Sequence, residues 1–177
     1  MIYTEPVRMV TITADNNKLL WHALLSAGGM CLVKCSDQIR LVEFVKHLPE
    51  HFRETAKFED VYVFVVEELV KFLEPKELGA AMAHEEGHFI LGHHVDNGSG
   101  ILFDIEKEIA ADKYAAKKYS PADMISVLRR TIEFTIEIAV PLLAKGNNIM
   151  EGIIVEQVMT VTKEDIVPRI KALQSMI

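Results

Sequence analysis

The run Ala83-His84-Glu85-Glu86-Gly87-His88 contains His-Glu-x-x-His. If the run is helical, His84 and His88 stand one turn apart on the same face. Two imidazoles so placed can both reach one zinc ion, at about 2.0–2.1 Å each. Glu85 lies beside them and off the ligand axis, where its carboxylate can hold a water. The chemistry open to such a helix is metal-assisted hydrolysis, with the ion as Lewis acid and Glu85 as general base.

A catalytic zinc takes three protein ligands and keeps one position open. Two residues compete for the third place. Glu108 lies in Glu106-Lys107-Glu108-Ile109-Ala110-Ala111-Asp112. Asp112 follows it by one helical turn and shares its face, placed to bond the free ring nitrogen of a ligand histidine. Ala111 and Ala115 are small enough to let this segment approach the first helix closely. The other candidate is His94, six residues after His88. A third ligand at that spacing needs a glycine three residues after the second histidine, to turn the chain back. Leu91 stands there and the glycine is Gly92, so the pattern favours Glu108.

Several elements must position these residues. Val7 to Thr13 alternates and is β-branched, which predicts a strand. Asp15-Asn16-Asn17 predicts a turn. Leu19 to Cys35 fits helix or strand. Ser36 or Asp37 could cap a helix burying Ile39, Val42, Val45 and Leu48. Val61 to Val66 is the clearest strand, followed by a short helical turn to Leu73. Pro75 suits the first turn of the motif helix, which should end near His94. A helix from about Asp104 to Tyr119 carries Glu108. Ser120-Pro121 opens another, reaching Lys145 with a bend at Pro141. Gly152 to Val161 is rich in β-branched residues, and a last helix lies between Lys163 and Met176.

The 177 residues suffice for one domain with a real core, and the net charge of −7 excludes nucleic acid as a default partner. Two cysteines, Cys31 and Cys35, are too few for a disulfide framework and read as small buried residues in a reducing compartment. The N-terminus lacks a signal-peptide layout, and no apolar stretch reaches the length of a bilayer span. The expectation is a soluble, cytoplasmic protein with no transmembrane segment.

Val63 to His93 resembles the HtpX-like and CAAX-prenyl-endopeptidase family of gluzincins. The shared pattern is a strand, a helical turn, then Glu77-Leu78, Ala80-Ala81, His84-Glu85-x-Gly87-His88, and His93 five residues further on. Glu106-x-Glu108-x-x-x-Asp112 matches the family's downstream acidic pattern. The chain also resembles the minimal soluble gluzincins and, more loosely, repressor-cleaving peptidases related to ImmA. Glu86 departs from the pattern, standing where the family has an apolar residue. HtpX's membrane helices have no counterpart, and residues 1–50 and 121–177 match nothing recognisable.

The resemblance implies a zincin-like α+β fold, with a small mixed sheet whose edge strand packs on the active-site helix and a helical C-terminal half. It implies one domain over 1–177, with a catalytic core at 61–120 and a helical extension at 121–177. It implies one zinc per chain on His84, His88 and Glu108, with Glu85 as base and Asp112 and His93 supporting the ligand histidines. The expected activity is that of a zinc endopeptidase, its peptide substrate pairing along an edge strand Val61–Val66. The alternative is a zinc-binding regulatory protein with a peptidase fold and no turnover. Tyr114, Tyr119, His93, Arg129 and Arg130 are the candidates to stabilise an oxyanion, although Arg129 and Arg130 fit an exposed helix face equally well. The tail Lys163 to Ile177 could cover the cleft.

Overall fold

The computed structural model describes residues 7–34, 46, 48, 50–54, 57, 60–93, 104–145 and 148–177. The expected helix after Ser36 and the residues Cys35 and His94 lie outside them. In chain order the elements are β1 (Arg8–Ile12), α1 (Ala14–Ser26), β2 (Met30–Lys34), α2 (Glu50–Arg53), β3 (Val61–Val66), α3 (Glu67–Phe72), α4 (Pro75–Ile90) and α5 (Ile105–Lys118). Then come α6 (Pro121–Phe134), α7 (Val140–Ala144), α8 (Asn148–Val161) and α9 (Val167–Gln174). The class is α+β, with a small mixed sheet and a helical second half.

The sheet has the order β1-β3-β2. β1 runs parallel to β3, with Val10 opposite Phe64, and β2 runs antiparallel to it, with Cys31 opposite Phe64. Val61–Val66 is therefore the central strand and not the edge strand expected from the resemblance. Its composition carries the reason. All six of its residues are buried, so both faces of the strand are covered. A continuous Val/Tyr/Phe run is what such a strand needs, whereas an edge strand with one wet face alternates. β1 does alternate, with Val10 and Ile12 buried and Met9 exposed. The strand beside the motif helix is β2, which packs against α4 at the sheet's edge.

Asp15 to Asn17 forms the first turn of α1, not a free turn. Thr13 caps it reciprocally with Asn16: the Asn16 N–H donates to Thr13 Oγ1 at 3.1 Å, and the Thr13 N–H donates to Asn16 Oδ1 at 2.9 Å. Asn17 leaves helical geometry (φ −160°, ψ 84°), and its side chain caps the remainder through the Leu20 N–H at 3.1 Å. The helix ends on Gly28 (φ 89°) and Gly29 (φ 96°), whose N–H groups return to Leu25 and Leu24.

Gly152 to Val161 lies in helix α8, against its β-branched composition. Ile154, Val158 and Thr162 are half-buried at four-residue spacing, the period of a helix face. The Thr160 and Thr162 hydroxyls donate to the carbonyls of Glu156 and Val158, one turn back. Pro141 and Pro168 each follow a widened π-helical turn, Thr135–Ala139 and Thr162–Ile166. Proline supplies no N–H and its ring crowds the carbonyl four residues back. The wider turn accommodates both, so the chain stays helical through each proline.

α4 begins on Pro75, with Glu77 accepting from the Glu74 N–H at 3.0 Å. It ends at Ile90, earlier than His94. Its partner is α5, capped by Asp104, which accepts from the Glu106 N–H at 3.1 Å. The two helices meet at Gly87, where an added Cβ would lie 3.2 Å from the backbone of Ala111 and 3.1 Å from the Tyr114 ring. Gly87→Ala should therefore lower stability by about 1–3 kcal/mol through overpacking, read as a lower urea midpoint at unchanged slope. A wild-type midpoint would show that the helices can separate freely.

Candidate metal centre

α4 places His84 and His88 on one face, and α5 presents Glu108 to both. The two Nε2 atoms lie 3.0 Å apart. Glu108 Oε2 is 3.3 Å from His84 Nε2, and Oε1 is 3.2 Å from His88 Nε2. Two imidazole lone pairs cannot face each other at this distance without a proton or a cation between them. The three separations approach the edge of a tetrahedron with metal–ligand bonds of zinc length, about 3.3 Å. The donor set therefore fits one such ion, and among the described residues it is the group of His, Cys, Asp and Glu side chains that could hold one.

The surroundings orient both rings. Asp112, 1% exposed, brings Oδ1 to 2.8 Å from His84 Nδ1. His93 Nδ1 lies 2.9 Å from His88 Nδ1. That second contact depends on where α4 stops. Gly92 takes a left-handed conformation (φ 74°), and this reversal turns His93 back onto His88. A continued helix would have carried it to another face.

Glu85 sits beside the group, and burial raises its carboxyl above the ordinary value, opposed by the charges of His84 and His88. The nearest sheet element is β2. Burial and the Glu85 charge push the Cys31 thiol up to about 11, so it stays protonated and behaves as a small half-buried side chain.

Other residues singled out by type are engaged elsewhere. Glu86 is not free in solvent. It accepts from the Tyr114 hydroxyl at 3.1 Å and from Lys118 Nζ at 2.6 Å, tying α4 to α5. Arg130 is not on an open face: it donates to the Phe72 carbonyl at 2.9 Å, pairs with Glu133 and lies 4.0 Å over the Phe72 ring. Arg129 and Tyr119 are exposed.

The residue that sequence reading missed is Arg169, on α9. Its Nε and Nη2 donate to the two oxygens of Asp112 at 2.7 and 2.8 Å, and Nη1 lies 3.2 Å from Glu108 Oε2. A signal was present: Ile166, Arg169, Ile170 and Leu173 form one stripe at helical spacing. A charge on an apolar stripe implies a buried partner.

Residues 54–105 match the family model of peptidase family M48. The likeness is to zinc metallopeptidases. It covers under a third of the chain, takes in His84, Glu85 and His88, and stops short of Glu108. No curated protein and no solved structure matches the chain. No described helix is long and apolar enough to cross a membrane.

Without metal, the cluster makes stability depend on pH. Burial opposes the charge on His84, but Asp112 and Glu108 outweigh it and hold its pKa up at about 9. The stability gained from this charge is complete below the unfolded value of about 6.5 and is lost as pH rises through about 9. Burial likewise opposes the charges of Glu108 and Asp112, but His84 and Arg169 prevail and lower both carboxyls. Their contribution is present above pH of about 4 and lost on acidification. Thermal unfolding in excess chelator should peak between about pH 5 and 6.5. A melting temperature still flat at pH 9 would contradict this balance.

Proposed function

We propose that the chain is a zinc-dependent endopeptidase, with His84, His88 and Glu108 holding one zinc ion and Glu85 as general base. The observation that carries this reading is the convergence of three ligand atoms at 3.0–3.3 Å spacing with a half-buried glutamate beside them. The match to peptidase family M48 supports it. Bound zinc would polarise the scissile carbonyl and lower the pKa of a water. Glu85 takes a proton from the attacking water and delivers it to the leaving amine. Asp112 fixes the His84 ring through Nδ1, and His93 does the same for His88.

The substrate is a peptide in extended form. It pairs with the outer edge of β2, because β3 already has a neighbour on each side. β2 has only β3 beside it among the described residues and packs on α4. Backbone pairing there would lay the peptide along the helix that carries His84, Glu85 and His88.

Glu85→Gln tests the chemistry while sparing the ligands. Cleavage of an unstructured protein such as casein should fall by about 10²–10⁴-fold, with zinc content unchanged. Undiminished cleavage would remove Glu85 from the mechanism. Zinc binding without any cleavage in the wild type, over a broad panel of unfolded substrates, would favour a regulatory protein without turnover.

A further inference from the structure

We propose that Arg169 is a positioning residue of the metal centre, so that the C-terminal helix is a working part of the site and not a cover over it. This rests on the metal reading above. Arg169 is 7% exposed and uses every nitrogen of its guanidinium on carboxylates. Nε and Nη2 grip Asp112 as a fork at 2.7 and 2.8 Å, while Nη1 reaches Glu108 Oε2 at 3.2 Å and Asp165 Oδ2 at 3.4 Å. One planar group therefore sets the orientation of both acidic residues that α5 contributes.

Charge balance gives this arrangement its importance. Asp112 is a carboxylate removed from water, and such a group needs a counter-charge. In the metal-free cluster, His84 and Arg169 both supply it. A histidine that ligates a metal does so as neutral imidazole. Once His84 is a ligand, Arg169 is the cation left to Asp112 among its partners in the cluster. Without it, the fork on Asp112 is lost, and the carboxylate that faces His84 Nδ1 at 2.8 Å is free to turn away from the ring it orients. The same guanidinium holds one oxygen of Glu108, which limits rotation of the carboxylate. Asp165, in the π-helical turn that leads into α9, stands four residues before Arg169 and steadies it, with its own Oδ1 buried and unpartnered. A lysine could not substitute fully, because an ammonium is a point charge that cannot present a planar fork.

The consequence reverses the expectation for the tail. If residues 163–177 merely covered the cleft, weakening their contact would leave the metal in place. Because Arg169 reaches from α9 to Glu108 and Asp112, weakening it should loosen the metal.

The test uses the full-length chain, with zinc affinity measured by competition against a chromophoric chelator and the visible spectrum recorded at saturating cobalt(II). Arg169→Met should raise the zinc Kd by about 10–100-fold and change the cobalt bands. Added methylguanidinium should recover part of the affinity. Arg169→Lys, which keeps a charge, should fall between Met and wild type, and it decides the matter if the Met variant fails to fold. Wild-type affinity and spectrum in Arg169→Met, or in Arg169→Lys where the Met variant does not fold, would overturn the proposal while leaving the metal reading intact. A wild-type chain that binds neither ion would overturn the metal reading, and the proposal with it.

Discussion

Helices α4 and α5 can bring their side chains to a common point only because Gly87 faces the backbone of Ala111 with nothing between them. The distances from Glu108 and Asp112 to the two ligand histidines follow from that contact. His84 and His88 lie three residues before and one after Gly87; Glu108 and Asp112 lie three before and one after Ala111. Pairing a glycine with an alanine at the crossing sets the axes close enough for an imidazole on one helix and a carboxylate on the other to share an ion. Lys118 and Tyr114 on α5 hold Glu86 on α4 along the same seam, which fixes its register.

A second constraint is electrostatic. Glu85, Glu108, Asp112 and Asp165 gather negative charge in a poorly solvated region, and burial disfavours ionisation of each. The structure answers with Arg169 and the two histidines. In the metal-free protein His84 is held in its charged form by Asp112 and Glu108, and with a divalent ion present the ion can take over that balance. The site thus has a reason to accept a cation that does not depend on its resemblance to any peptidase.

Much of this was legible from local pattern. His84, Glu85 and His88 are set by four-residue spacing, and Glu108 with Asp112 by the same rule one helix later. The strand Val61–Val66 is evident from its composition, but its place in the sheet is not. Whether a strand is central or at the edge depends on partners far away in sequence. Even so, the unbroken apolar run already argued for burial on both faces. α8 was obscured because Ile, Val and Thr favour strands locally, while its helix is decided by packing of Ile154, Val158 and the turn that follows. Arg169 was hidden for a related reason: it lies some sixty residues from its partners. Only its position on an apolar stripe betrays it.

The measurement that bears most directly on the central claim is zinc per chain, by elemental analysis of protein purified without a histidine tag. About one zinc is expected in the wild type, lost in Glu108→Ala and kept in His94→Ala. No zinc in the wild type, even after zinc is added back, would contradict it. So would zinc that survives Glu108→Ala and disappears with His94→Ala.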